Sequence, residues 1–321
     1  MIRYVAVFLS SFIFLFSLNA YSSDFEATKS LAEQGDVEAQ HKLGKKYYYG
    51  KGVPQNYQEA AKWYTLAGDQ GDVSAQNDLA YMYFAGIGVA QNYEEAAKWY
   101  KLAAEQGDVL AQSTLGAMYS YGELLPQDYE EAFKWYKRAA EKGYTEAQYN
   151  IGLMYYEGKG VAQDYQEAAK WFQKAAQQGD ARAQFYLGVL YDNGADVDQD
   201  YEEALKWYRK AAEQGHAGAQ YNIGMLYTNG EGVAQDYQQA IQWFEKAARQ
   251  GDAVAQFKLG LMYRYGDGVP QNDREAAKWW ILASTVGTGY YDSDLVEEFL
   301  GTLSPSQLEK AQAEANKWWD E

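Results

Sequence analysis

The sequence predicts an all-α stack of helix-turn-helix repeats, and three observations predict it. Gly35, Gly71, Gly107, Gly143, Gly179, Gly215, Gly251 and Gly287 recur every 36 residues. Ladders of Ala39, Ala75, Ala111, Ala147, Ala183, Ala219 and Ala255, and of Trp63, Trp99, Trp135, Trp171, Trp207, Trp243 and Trp279, keep the same register without an insertion. Within each period apolar residues fall at helical spacing on both sides of a glycine-rich connection. A chain of 321 residues exceeds what one compact core usually organises, a limit that a repeat array avoids.

At the N-terminus, Arg3 precedes an apolar run from Val5 to Leu18 and the stretch Asn19-Ala20-Tyr21-Ser22-Ser23. This pattern reads as a secretory signal peptide over 1–22, cleaved near Ala20 or Ser22, because the run is short against the roughly 20 residues of a spanning helix. Periplasmic or secreted localisation is expected, with no stable membrane insertion after cleavage. The chain has no cysteine, which closes both lipid attachment and disulfide stabilisation. Residues 23–287 read as the array, with repeats near 35–70, 71–106, 107–142, 143–178, 179–214, 215–250 and 251–286, and residues 288–321 as a C-terminal helical cap.

In the first repeat, Asp36 reads as an N-cap and Ala39, Leu43, Gly44, Lys46 and Tyr47 as the buried stripe of helix A, with Met82, Met118 and Met154 in the Lys46 column. Gly50 and its equivalents end that helix after about 13 residues, since the position after a helix favours a left-handed backbone. Asn56 with Glu59 matches a capping box that starts helix B, as do Asn92 with Glu95, Asp128 with Glu131, Asp164 with Glu167 and Asp200 with Glu203. Small residues at the Ala39, Gly44, Ala60 and Ala67 columns let helices approach while the Trp63 and Tyr64 columns fill the gaps. Two connections depart without changing length, Glu123-Leu124-Leu125-Pro126 and Ala195-Asp196-Val197-Asp198. They read as locally different turns in which Leu125 and Val197 keep the apolar position; a binding role for Glu123, Asp196 or Asp198 is the alternative.

The unit A-x-x-x-L-G-x-x-Y-x-x-G-x-G-V-x-x-(N/D)-Y-x-x-A-x-x-W-(Y/F)-x-x-A-A-x-x-G resembles the Sel1-like repeat, a relative of the tetratricopeptide repeat, over residues 35 to 287. The resemblance implies a right-handed superhelical solenoid of seven repeats, with Leu303-Ser304-Pro305-Ser306-Gln307-Leu308 and Trp318-Trp319 in a C-terminal capping helix. It also implies protein or peptide binding in signalling and envelope processes. A cysteine-rich group within that family, linked to β-lactam hydrolysis, is a poor match for a chain without cysteine.

With the Leu43, Gly44 and Tyr47 columns facing the core, the columns of Glu38, His41, Lys45, Tyr48 and Tyr49 would line a concave groove. These columns vary while the packing columns do not. The candidate partner-binding residues are Tyr48, Phe84, Tyr121, Tyr149, Tyr156, Phe185, Asp192, Tyr221, Asn229, Phe257, Arg264 and Tyr265. Tyr149, Phe185, Tyr221 and Phe257 form an aromatic ladder, either as anchors in the groove or as rings packed between helices.

A formal charge of −17 argues against nucleic acid as a partner and against anionic lipid surfaces. The two histidines, His41 and His216, fall at unrelated positions and read as surface residues, so no catalytic or metal site is expected and no cofactor is implied. The expected function is an exported, non-catalytic scaffold for a protein or peptide of the cell envelope. The alternative is an enzyme or enzyme subunit acting on cell-wall glycan or peptide. Oligomeric state is left open.

Overall fold

The computed structural model describes residues 24–122, 125–195, 198–286 and 292–318, and the expected signal peptide lies outside them. A helix over 24–33 (α1) opens the described chain. Helix A of successive repeats is α2 (Val37–Tyr49), α4 (Val73–Ala85), α6 (Val109–Tyr121), α8 (Thr145–Glu157), α10 (Ala181–Asn193), α12 (Ala217–Asn229) and α14 (Ala253–Tyr265). Helix B is α3 (Tyr57–Asp69), α5 (Tyr93–Glu105), α7 (Tyr129–Glu141), α9 (Tyr165–Gln177), α11 (Tyr201–Glu213), α13 (Tyr237–Ala248) and α15 (Asp273–Val286). After the array come α16 (Ser293–Thr302) and α17 (Pro305–Trp318).

The chain separates into two compact halves, one reaching Met154 and including Gly158–Ala162, the other made of Tyr155–Glu157 and everything from Gln163. In the N-terminal half α2 packs on α3, α3 on α4, α4 on α5, α5 on α6 and α6 on α7. The C-terminal half repeats that order from α9 to α15, and α17 then packs on α15.

Each helix A starts where expected. The Asp36 carboxylate accepts from the Ala39 amide at 2.7 Å, and Asp72, Asp108, Asp180 and Asp252 do the same in their repeats. Tyr144 occupies this column on α8 and makes no side-chain cap. Helix A ends at a left-handed glycine, φ +66° at Gly50, where other residues are strained.

Helix B starts with half of the expected capping box. Asn56 accepts from the Glu59 amide at 3.1 Å, but its own amide donates to the Tyr47 carbonyl at 2.9 Å. The Glu59 carboxylate is therefore released to pair with Lys62. The same backbone bond joins Asn92 to Tyr83, Asp128 to Tyr119, Asp164 to Tyr155 and Asp200 to Tyr191, so closing the hairpin displaces the side-chain arm of the box. A second clasp comes from the Gln55 column, whose amide donates to the helix A carbonyl seven residues earlier, as Gln55 to Tyr48 at 2.8 Å and Gln199 to Asp192 at 2.7 Å. Ser304 and Gln307, at the start of α17, do exchange bonds in both directions.

The core is a stack of small residues and rings. Ala60, Ala96, Ala132, Ala168, Ala204, Ala240 and Ala276 are all fully buried, as is the Tyr64 column or nearly so. Lys46 lies in the buried stripe as expected, and α1 explains its tolerance: its ammonium meets Asp24 at 2.5 Å. At the other end Trp318 of α17 sets its ring edge-on to Trp279 at 4.7 Å. Two helices thus follow the array where a single capping helix was expected, and Trp319 lies outside the described residues. Leu125 keeps the apolar position and packs on the cluster around Leu115 and Met118; Glu123, Leu124, Asp196 and Val197 lie outside the described residues.

One fixed column escaped the apolar pattern. Gln40, Gln76, Gln112, Gln148, Gln184, Gln220 and Gln256 are all buried. Each amide donates to a carbonyl of the preceding helix eight residues back, as Gln184 to Ala176 at 3.1 Å. The oxygens of Gln40, Gln76, Gln184 and Gln220 accept from a glutamine thirty residues ahead: Gln70 to Gln40 at 2.7 Å, Gln106 to Gln76 at 2.9 Å, Gln214 to Gln184 and Gln250 to Gln220 at 2.8 Å. The amide bonds join each helix A to the helix that precedes its repeat, the glutamine pairs tie helix A to the end of helix B within a repeat, and both satisfy buried polar groups that would otherwise carry a desolvation cost.

The Gln112 oxygen is buried without a partner because Lys142 stands where its donor should be and bonds the Gly107 carbonyl at 2.7 Å. Gln70 shows that glutamine reaches both groups, the Gly35 carbonyl at 3.3 Å and Gln40. Lys142→Gln is therefore expected to stabilise the chain by about 1 kcal/mol, the net worth of one such bond, seen as a higher urea midpoint. An unchanged midpoint would show that the Gln112 oxygen costs nothing where it is.

Candidate functional site

The expected partner-binding residues all sit on helix A, and packing divides them into different classes. Tyr48, Phe84 and Tyr156 each meet the first tyrosine of the following helix B, Tyr57, Tyr93 and Tyr165, edge-on at 5.2, 5.6 and 5.3 Å. They help close the hairpin while keeping part of their surface in solvent. In the last repeat Arg264 and Asp273 replace that ring pair by an ion pair at 2.8 Å, and the guanidinium also lies over Phe299 at 4.8 Å.

Three rings of the aromatic ladder pack against helix B. Phe185 stacks on His216 at 4.5 Å and contacts Tyr208 of helix B at 6.0 Å. Tyr221 packs on Phe244 at 5.6 Å, and Phe257 packs on Trp280 at 6.1 Å with only 9% of its surface exposed. Tyr149 is half-buried on α8. In Phe185, Tyr221 and Phe257 the ring lies against the ring of helix B, the placement that rings between helices would take.

The outermost column is different. Tyr121 and Tyr265 are 69% and 64% exposed, and Tyr49, in the same column, is 59% exposed. Asn229 is exposed there as well and donates to Glu231 at 3.0 Å. Asp192 is half-buried and accepts from the Tyr208 hydroxyl at 2.9 Å; burial first, then the charge of Glu231, raises its pKa. Tyr81, 49% exposed, and Tyr186 also lie on helix A faces. Neither was singled out in the sequence, because their columns hold no other aromatic residue.

Both histidines are engaged, which corrects their reading as surface residues. His41 lies between carboxylates of the next repeat, Nε2 at 2.9 Å from Asp78 and Nδ1 at 3.6 Å from Asp72. His216 occupies the N-cap column of α12, where Nδ1 accepts from the Ala219 amide at 3.2 Å. Only the unprotonated nitrogen can accept, and burial lowers the His216 pKa. A base whose folded pKa lies below its ordinary 6.5 stabilises the fold above that pH. The contribution is lost as the pH falls through 6.5 towards the lowered value. His216→Asp supplies the cap used elsewhere without that proton, so the variant is expected to gain on the wild type by about 1 kcal/mol between pH 7 and pH 5. Parallel thermal melts across that range check it; parallel curves would remove His216 from the pH response.

No group of His, Cys, Asp and Glu among the described residues could hold a metal ion. No helix among them is long and apolar enough to cross a membrane.

The Sel1 repeat family model matches at residues 37–72, 73–108, 109–144, 145–180, 181–216, 217–252 and 253–287. The chain belongs to the Sel1 repeat family. Its fold is accordingly an all-α solenoid of seven Sel1 repeats. A Sel1 repeat protein from Oxalobacter formigenes is 34% identical with a TM-score of 0.71, over 89% of this chain and 82% of its own. A protective antigen of uropathogenic Escherichia coli strains, described as displaying an SLR fold, is 32% identical with a TM-score of 0.63, over 94% of this chain and 72% of its own. No curated protein matches the chain. Sel1 repeat proteins typically mediate protein–protein interaction, and the repeat fold is in general a non-catalytic interaction scaffold.

Proposed function

We propose that this Sel1 repeat protein is an exported, non-catalytic scaffold that holds a protein or peptide of the cell envelope on its helix A faces. The observation that carries this reading is the contrast between columns. The Ala, Gly, Gln and ring columns are fixed by packing, whereas the column of Tyr49, Tyr121 and Tyr265 keeps large rings in solvent that no packing requires. Exposed tyrosines give contact area at little entropic cost and are frequent binding anchors. The charged, apolar and small-polar order of residues 1–22 supports export through a cleaved signal.

In-cell photocrosslinking from Tyr121 and Tyr265, with Lys98 of helix B as control, tests the binding reading. Discrete adducts at the tyrosines and none at Lys98 are expected; no adducts, or equal ones, would overturn it. Export is checked by fractionation and the N-terminal sequence of the mature chain. An intact N-terminus on a cytoplasmic chain would remove that part of the proposal.

A further inference from the structure

In the C-terminal half, consecutive A helices bring together Tyr156 and Glu157 at the end of α8, Tyr186 and Asp192 on α10, and Glu231 just beyond α12. We infer that this aromatic and carboxylate face binds a lysine- or arginine-bearing segment of the partner protein, an inference that rests on the scaffold reading above.

The rings are held in place before any ligand arrives. Tyr156 and Tyr186 meet edge-on at 5.2 Å, and Tyr186 stacks on Phe172 at 5.1 Å with an interplanar angle of 12°. Phe185 contacts Tyr186 at 5.4 Å and Tyr208 at 6.0 Å, which ties this pair to the Asp192 site. Both Tyr156 and Tyr186 retain solvent-facing surface. Burial and the neighbouring Glu157 raise the pKa of each, so both stay neutral rings that can receive a cation on the face.

Asp192 and Glu231 have no cationic partner among the described residues. Asp192 stands in the column of Tyr48, Phe84, Ser120, Tyr156 and Thr228, all uncharged. The other charged member, Arg264, is neutralised by Asp273. Asp192 has only the Tyr208 hydroxyl and Glu231 only the Asn229 amide; among the described residues no lysine, arginine or histidine pairs with either. A half-buried carboxylate beside a second one carries a desolvation and repulsion cost that an incoming cation relieves. A neutral sugar relieves neither. The chain itself shows cations lying on rings, Lys174 at 3.8 Å from Trp171 and Lys210 at 3.9 Å from Trp207, and its net charge of −17 steers cationic partners towards it.

Fluorescence polarisation of the full chain with a labelled Gly-Ser peptide carrying spaced lysines tests the site, against the same peptide with glutamine or glutamate and with chitotetraose as competitor. Salt-sensitive binding of the lysine peptide alone is expected. Asp192→Asn, which keeps an oxygen for Tyr208, and Glu231→Gln should each weaken it about fivefold, and Tyr186→Leu by a similar factor. Glu130→Gln, the same charge change at an exposed start of helix B, should leave it unchanged. Equal loss in Glu130→Gln, binding of the glutamine peptide, or displacement by chitotetraose would overturn the inference. Thermal melts of each variant separate misfolding from lost contact, and Glu231→Gln, remote from the buried core, carries the test if Asp192→Asn unfolds. Persisting crosslinks from Tyr121 and Tyr265 alongside unchanged peptide binding would sink this site while leaving the scaffold reading standing.

Discussion

Leucine in place of Gly224 is expected to destabilise the chain by about 3 kcal/mol or more, the upper end of overpacking costs. A Cβ built on Gly224 would lie 2.5 Å from the Phe244 ring, and the equivalent contacts are 2.6 Å at Gly44, 2.7 Å at Gly116 and 2.3 Å at Gly260. Helix B places its ring where helix A has no side chain. The second repeat shows how much the joint can give. It carries Ala80 in this column, and its ring, Tyr100, is 7% exposed against 1% for Tyr64 and Phe244. One methyl group moves the ring outwards slightly, and the gain of about 1 kcal/mol in helix propensity from glycine to alanine offsets much of that shift.

Four carbons cannot be accommodated in this way. The swap test is therefore informative: Phe244→Ala alone should cost about 3–5 kcal/mol, while Gly224→Leu with Phe244→Ala should recover most of the loss of either. Urea denaturation of the four chains measures the coupling. Additive losses would show that the glycine is kept for the backbone and not for the ring.

The elements were legible in the sequence because their causes are local or periodic. Asp36, Gly50 and Asn56 act within a few residues, and a spacing repeated along the array leaves little freedom in register. What was hidden depends on which neighbour competes for a group. The Asn56 and Glu59 pattern promises a reciprocal box, but the Tyr47 carbonyl takes the amide and Lys62 takes the carboxylate. The glutamine ladder was visible as a constant column, yet a polar residue on an amphipathic helix reads as solvent-facing until a carbonyl eight residues earlier is placed above it.

The candidate site was legible only as a set of varied columns. Variation marked release from the alanine and glycine packing, but it did not separate Tyr121, which solvent surrounds, from Phe257, which Trp280 covers. That difference follows from one step around helix A, towards helix B or away from it. The two histidines were misjudged for a related reason. Each lies in a column whose other members are chemically unlike it, so its cap or ion-pair partner is visible only in three dimensions.

Alanine at Gly88 is expected to cost about 2–4 kcal/mol, the sum of strain at a left-handed non-glycine residue and a backbone collision. Gly88 has φ +70°, and a Cβ there would lie 2.5 Å from the Tyr57 carbonyl at the start of the previous helix B. Tyr129 meets Gly160, Tyr201 meets Gly232 and Tyr237 meets Gly268 in the same way. The connection of one repeat thus rests on the first turn of the helix B before it, and backbone is harder to displace than a ring. Gly50→Ala provides the comparison. Its φ is +66°, but the nearest atoms to an added Cβ are 3.4 Å away, so it should lose only the conformational part, about 1 kcal/mol. If the two variants melt together, the collision contributes nothing and the second glycine of the connection is fixed by its dihedral angle alone. If Gly88→Ala is the weaker by the expected margin, the glycine records contact between successive repeats.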